Sequence, residues 1–459
     1  MLLTAPDHVV HPLTPWQQRL AMFAVMCAVV LATLDTTISN TALPQIAREL
    51  HTSEAAIIWV ANAYQIAMIA ALLPLASLGE SIGYRRVYIG GVFFFTLASL
   101  ACGLAPSLAW ITAARALQGI GAAAIMGVNA AFIRHIYPAN KLGHGLSMNA
   151  MVVAIGFTLG PPLASAILSV ASWHWLFLFN VPIGLAVIPL ALTFLPNAAG
   201  TRHAFDRGAA ALCAAFLGLL AFSFCVLGNS AGSTGALLAV VVCVLCLLGL
   251  LKKQAGHPAP MLALDLLKKP VVGLSSATSI CAFATQSLAF VSLPFYFQQS
   301  MGISLVATGV LLMTWPIVVA VMAIVVRPLS DRLSPAVLCS AGLLLLAAGM
   351  ASLTTMTEAS SHLAIILRLI VCGMGFGLFQ APNMKAIMVN SPPHRSGGAS
   401  GIVAISRLMG QASGAAAVAQ CFHLWQGQGP HFALWLGGAT AALGCLFSAA
   451  RLRGSRASA

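Results

Sequence analysis

Residues 31–44 read LATLDTTISNTALP and place one acid, Asp35, inside an apolar run that begins at Leu20. Arg115 stands inside another such run, RALQGIGAAAIMGVN. A charge at the centre of a spanning helix costs about 2.5–3.5 kcal/mol even on the mild insertion scale, and pairing lowers that cost. Asp35 lies 15 residues beyond Leu20, and Arg115 lies 16 residues before Ala131, where its run ends. At about 1.5 Å per residue, both sit some 22–24 Å from the same membrane edge. Two chemistries fit a matched acid and base. One is a structural ion pair fixing two helices. The other is a proton site, because desolvation raises a carboxylate pKa, an adjacent Arg lowers it, and a balanced acid can load and release a proton. Asp35 is the only acid inside a span; Asp7, Glu49, Glu54, Glu80, Asp206, Asp265, Asp331 and Glu358 fall at ends or in loops.

Arg368 and Arg407 are the other cations inside apolar runs, and their half has no intramembrane acid. Backbone carbonyls, Gln380, Asn383 or a wet cavity are their candidate partners. Tyr64, Phe290, Phe295, Tyr296 and Trp315 are candidate cavity walls for flat lipophilic molecules, since ring faces attract cations. Gln118 and Asn129, on the Arg115 segment, complete the expected substrate cavity together with Arg368, Gln380, Asn383 and Arg407.

These side chains need helices to hold them. The chain has 459 residues, 60% hydrophobic and only 7% charged. Soluble domains carry about a quarter charged residues, and disordered chains are polar. The composition therefore indicates an all-α polytopic membrane protein, because a helix satisfies its own backbone in lipid. Fourteen apolar segments are expected, at about 20–41, 56–77, 87–105, 109–131, 146–170, 176–195, 208–228, 235–251, 271–297, 305–326, 336–356, 363–384, 399–421 and 432–450. With the N-terminus in the cytoplasm, eighteen of the 22 Lys and Arg fall in cytoplasmic loops or tails. Only Arg48 falls outside, and Arg115, Arg368 and Arg407 lie within spans. That asymmetry supports fourteen spans with both termini inside. The net charge of +13 is thus topology and lipid attraction rather than a nucleic-acid footprint.

Span four, with Arg115 and Asn129, is echoed eight spans later by RLIVCGMGFGLFQAPN, with Arg368 and Asn383. The expected organisation is a six-helix bundle over 1–195, a linker with two extra helices over 196–270, and a second six-helix bundle over 271–459. The eleven cysteines are scattered through apolar runs and read as packing residues. The N-terminus lacks the order of a signal peptide. No nucleophile–base pair, metal cluster or nucleotide loop is present, so neither an enzyme nor a cofactor is expected.

Two further motifs suggest moving parts. SLGESIGYRRVY, residues 77–88, has Gly79 and Gly83 for a tight turn and Glu80, Arg85 and Arg86 for a latch. GFTLGPP joins Gly156 and Gly160 to Pro161 and Pro162, implying a kinked, closely packed helix.

Together these segments resemble the fourteen-span drug:proton antiporters of the major facilitator superfamily, which include exporters of quaternary ammonium compounds and methyl viologen. LDTTISNTALP resembles the first-span signature and WVANAYQIA the second-span pattern. LGESIGYRR resembles the loop between spans two and three, and RALQGIGAA the fourth-span motif linked to proton coupling. GFTLGPP, followed by SWHWLFLFNVPIG, resembles the antiporter motif. SRLMGQASGAA around Arg407 extends the likeness into the second half. The departures are Glu80 for an Asp, Ala76 and Ser147 for glycines, and Ala164–Ser165 for a closing glycine pair.

The resemblance implies two bundles rocking about a central cavity, with Asp35 and Arg115 in coupling roles and the 79–86 loop as a gate. The resulting expectation is a monomeric, proton-driven exporter of lipophilic, often cationic drugs in a bacterial inner membrane. An exporter of a metabolite or anion is the alternative, motivated by Arg368 and Arg407.

Overall fold

The computed structural model describes residues 14–137, 142–196, 205–226, 233–255, 260–392 and 395–456. Asp7, Lys141 and Arg202, three charges of the expected tail and loops, lie outside the described residues. Fourteen long helices and no strand occur among the described residues. The first six are α1 Pro15–Glu49, α2 Trp59–Ile82, α3 Tyr84–Gly103, α4 Leu108–Ile136, α5 Leu142–Val170 and α6 Asn180–Phe194. Two follow, α7 Arg207–Val226 and α8 Ser233–Gln254. The last six are α9 Pro270–Phe295, α10 Leu305–Arg332, α11 Pro335–Leu353, α12 His362–Val389, α13 Ser396–Leu424 and α14 Gly429–Arg456. Among the described residues thirteen helices are long and apolar enough to cross a membrane; α8 is the other long one, with 22 residues.

Most helices outrun their apolar segments, because polar residues cap them beyond the hydrocarbon. α1 starts at Pro15 rather than Leu20: Gln17 N donates to Thr14 Oγ1 at 3.3 Å, and Thr14 N donates to Gln17 Oε1 at 3.0 Å. Pro at the first helical position suits the missing N–H. Arg451, read from sequence as a tail residue, is buried inside α14.

The packing repeats at an offset of eight helices. α1 packs on α5 and α6, α2 on α4, and α3 on α4 and α6. Likewise α9 packs on α13 and α14, α10 on α12, and α11 on α12 and α14. The two sets meet mainly through α5 with α10, with smaller contacts of α2 with α13 and α1 with α9. α7 leans on α2 and α13, and α8 packs on α7. α1 and α9 are the most buried helices, as the axis of each set must be.

Small residues set the closest approaches. A Cβ on Gly156 or Gly160 of α5 would overlap the Thr33 or Thr37 hydroxyl of α1. In the second half a Cβ on Gly410 of α13 would lie 2.8 Å from Phe283 Cβ, and one on Gly414 would lie 2.8 Å from Ser287 Cβ, both on α9. The GxxxG of α5 on α1 is thus repeated by a GxxxG of α13 on α9.

One end of the molecule carries the start of α1, the α2–α3 turn and most of the basic residues; it is called here the basic face. At the opposite, far face an apolar cluster joins the halves, with Ile38, Ile46 and Trp173 packed in one core with Leu288, Phe295 and Phe422. Arg48 Nη2 adds a hydrogen bond to Gln298 Oε1 at 3.2 Å across this seam.

Candidate functional site

Asp35 and Arg115 form an ion pair, each 1% exposed. α1 and α4 bring them together, and both helices add neighbours. Arg115 Nη1 donates to Asp35 Oδ2 and, at 2.6 Å, to Gln118 Oε1. Gln118 Nε2 donates at 2.8 Å to both Asp35 Oδ1 and Ser99 Oγ. Asn180 Nδ2, from the start of α6, donates to the same Asp35 oxygen at 3.0 Å. Arg115 Nε donates to the Val60 carbonyl at 3.3 Å, and the guanidinium lies over the Tyr64 ring, 4.2 Å from its centroid. The guanidinium is thus met by two side-chain oxygens, a carbonyl and an aromatic face, the kind of surroundings a buried ion pair requires.

The repeat makes this cluster asymmetric. The residue that occupies the Asp35 place on α9 is Thr285, 250 positions on, just as Ser287 stands where Thr37 does against the paired glycines. Thr285 Oγ1 bonds the Gly437 carbonyl at 3.1 Å and lies 2.9 Å from Thr440 Oγ1 on α14. A hydroxyl thus ties α9 to α14 where a carboxylate ties α1 to α6. Among the described residues the buried carboxylate belongs to the first half.

A small cavity of about 30 Å³ lies between the halves, at mid-depth. Thr36, Thr37 and Asn40 of α1 line it, with Gln65 of α2 and Phe157 of α5; the second half adds Gln286, Ser287 and Phe290 of α9 and Gln411 of α13. The α1 and α9 contributions, 36, 37, 40 and 286, 287, 290, are again 250 apart. Asp35 does not line this cavity. It faces α4 and α6, on the other side of the helical turn whose next residues form the cavity wall.

The other expected cavity residues are dispersed. Phe290 lines the cavity and packs edge-on to Trp315, which is fully buried behind it. Tyr64 belongs to the ion-pair cluster, its hydroxyl donating to the Ala32 carbonyl at 3.4 Å. Gln118 belongs there too. Asn129 donates to Asn149 Oδ1 of α5 at 2.8 Å. Asn383 donates to the Ser275 carbonyl and Ser279 Oγ at 2.9 and 2.8 Å, and accepts from Arg451 at 2.9 Å. Arg368 reaches Thr355 Oγ1 at 3.3 Å near the far face, and Gln380 is exposed. Arg407 lies on α13 one turn before Gln411, within electrostatic reach of Tyr64. Depth along a helix was legible for these residues, but the direction in which each side chain points was not.

In the α2–α3 turn, Gly83 has φ +101°, a conformation that favours glycine. A Cβ on Gly79 would lie 2.9 Å from both Tyr84 and Val128. Arg85 donates to the Leu192 carbonyl of α6, and Arg86 to the Ile82 carbonyl at 3.4 Å. Glu80 is exposed at the end of α2. At α5, Pro161 sits beside Gly160, and its carbonyl lies 2.7 Å from the place a Cβ on Gly309 of α10 would occupy.

Sequence reasoning missed Gln65, Asn180, Gln286 and Gln411. Three of them sit within quoted motifs, WVANAYQIA, SWHWLFLFNVPIG and SRLMGQASGAA, where neutral amides stood beside more conspicuous residues. Gln286 carried no local signal.

A helical bundle with duplicated packing, a polar cavity between the repeats and a paired charge beside it defines a multi-pass membrane transporter. The comparisons agree. Residues 25–415 match the model of the Major Facilitator Superfamily, and the chain belongs to that family. It is 42% identical over 450 residues to the uncharacterized transporter YebQ of Escherichia coli, covering 97% of this chain and 98% of the relative. It is 26% identical to the riboflavin transporter RibZ of Clostridioides difficile, covering 87% of each chain. It is 30% identical to the multidrug resistance protein Stp of Mycobacterium tuberculosis, covering 89% of this chain and 76% of that one. Among solved structures, a peptide transporter, POT, bound to sulfate superposes with a TM-score of 0.73 at 13% identity, with 94% of each chain covered. That likeness shows the fold alone. The protein is a transporter and not an enzyme.

Proposed function

We propose that the protein exports lipophilic small molecules across a bacterial inner membrane in exchange for protons, by alternating access. In this reading the chain has fourteen spans with both termini cytoplasmic, the bundles 1–195 and 271–459 rock about the central cavity, and 196–270 joins them. It works as a monomer. The observation that carries the reading is the buried Asp35–Arg115 pair, present in one half of a duplicated fold and replaced by a hydroxyl in the other. A purely structural tie between helices needs no charge, as Thr285 demonstrates. A carboxylate kept at this depth supplies what the hydroxyl cannot, a group that takes up and gives back a proton.

The cycle follows from the contacts. While the ion pair holds, α1, α4 and α6 are locked together. Protonation of Asp35 removes the attraction to Arg115, whose guanidinium still has the Val60 carbonyl and the Tyr64 ring. The lock loosens, and α1, which also forms the cavity wall through Thr36, Thr37 and Asn40, is free to tilt against α5 and α9. The relative named for multidrug resistance supports a drug substrate.

The test is uptake into everted proteoliposomes with an imposed pH gradient, comparing wild type with Asp35→Asn. Gradient-driven accumulation in wild type, lost in the folded variant, is the expected result. Uphill transport retained by Asp35→Asn would refute the assigned role. A metabolite exporter is the second reading, favoured by a central cavity without an acid and by the relative named for riboflavin transport. Competition by riboflavin but not by ethidium would select it.

A further inference from the structure

The central cavity has a chemical character that the proton-coupling site does not explain. Its polar walls are amides and hydroxyls: Asn40, Gln65, Gln286 and Gln411, with Thr36, Thr37 and Ser287. Phe157 and Phe290 supply ring faces from opposite halves. No carboxylate is among the lining residues. Gln65 is 7% exposed, and its Oε1 has no hydrogen-bond partner among the described residues. A buried acceptor left open is costly, and such groups are normally satisfied. One turn along α13 from Gln411 lies Arg407, whose Nε is also buried and without a partner, and no carboxylate pairs with this side chain among the described residues. Asp35, the acid of the neighbouring ion-pair cluster, is already held by Arg115, Gln118 and Asn180.

A carboxamide offers an acceptor and two donors in one plane. It is the side chain that reads a heterocycle edge bidentately, wherever a donor and an acceptor stand side by side. Aromatic rings meanwhile accept any flat π system. An organic cation gains little here: the lining has no counter-charge, and Arg407 adds a positive field at a site remote from water, where charges are poorly screened.

We propose that the carboxamide-lined cavity binds uncharged planar heterocycles whose edges carry adjacent hydrogen-bond donors and acceptors, such as cyclic imides, and that Arg407 keeps permanent organic cations out. This rests on the transporter reading above. Gln65, Gln286 and Gln411 hold the heterocycle edge. Phe157 and Phe290 cover its faces. The cavity as described, with room for about one water, is the contracted form of the site, and opens as the halves separate.

The experiment uses the full chain. Lumichrome and naphthalimide are the neutral planar imides, and ethidium is the flat cation. Binding to detergent-purified protein is read by ligand fluorescence, and transport is read in proteoliposomes with a pH gradient. The expected result is binding of both imides, about tenfold weaker in Gln286→Leu and in Gln411→Leu, as the loss of one hydrogen-bonded pair predicts, and ethidium binding only in Arg407→Gln. Variants are compared only where they elute as a single species with the Tm of wild type; Gln65→Met, which keeps the size and removes the carboxamide, is the second route if the leucine variants unfold, and should weaken imide binding by the same factor. Failure of both imides to bind wild type overturns the proposal, as does tight ethidium binding by wild type. Imide binding that depends on the glutamines, but without gradient-driven transport, leaves the site standing and sinks the proton-exchange reading. Gradient-driven ethidium transport without imide binding does the reverse.

Discussion

At the scale of single residues, the Asp35–Arg115 pair shows how burial turns a charge into a commitment. Each partner is 1% exposed, so removing one strands the other in an apolar interior. Arg115→Gln should therefore cost about 3–5 kcal/mol in unfolding stability. The double variant Asp35→Asn, Arg115→Gln should regain most of it, because two neutral amides can bond Gln118 and Asn180 without a net charge. Equilibrium unfolding of wild type, Asp35→Asn, Arg115→Gln and the double variant checks this, and equal losses in the single and double variants would show that the charges matter little to the fold. This pair was legible in the sequence because a charge inside an apolar run is conspicuous and its depth can be counted. Its supporting amides were not. Gln118 was visible but assigned to the substrate cavity, and Asn180 was hidden in an aromatic motif. Arg368 and Asn383 were expected at the cavity, whereas Arg368 points to Thr355 and Asn383 to Ser275, Ser279 and Arg451.

At the scale of elements, the two glycine pairs decide how helices lie. α5 meets α1 at Gly156 and Gly160, and α13 meets α9 at Gly410 and Gly414. Gly160→Val has to push α5 away from Thr37. Overpacking of this kind costs about 1–3 kcal/mol, and because Thr37 and Phe157 line the cavity, transport should fall as well. Gly90 on α3 is the control: a Cβ there meets nothing within 4 Å, so Gly90→Ala should leave stability and transport unchanged or slightly improved. Tm and transport measured on both variants test the assignment; a silent Gly160→Val would mean that α5 is free to stand off. The α5 motif was read correctly as a tight-packing device. Its partner on α13 lay within a quoted segment, but a lone GxxxG carries little information until the structure shows what it faces. Helix ends were displaced for a plainer reason. Capping residues such as Thr14 and Ser107 extend helices past the hydrocarbon, where hydropathy no longer follows them.

At the scale of the whole molecule, the duplicated packing and the far-face core place the two halves in firm contact at one end, through Ile38, Ile46, Leu288 and Phe295. The class of fold was readable from composition and from the basic asymmetry, since both follow from the physics of lipid insertion. The proposed orientation makes the far face extracellular. A cysteine at Glu358, exposed at that face, should react with an impermeant maleimide on intact cells. A cysteine at Lys268, exposed at the basic face, should react only after permeabilisation. The opposite pattern would invert the topology.

Asp35 and the cavity wall share one turn of α1, with the carboxylate on one side and Thr36, Thr37 and Asn40 on the other. A proton and a solute that bind there never compete for the same space. They communicate only through the position of a shared piece of backbone. For the proposed exchange, linkage makes the coupling a single quantity: the factor by which protonation weakens solute affinity must equal the factor by which solute weakens proton affinity. Titrating solute binding against pH, and proton release against solute, should return the same number. Release of more than one proton per solute bound would reveal a second proton acceptor elsewhere in the chain.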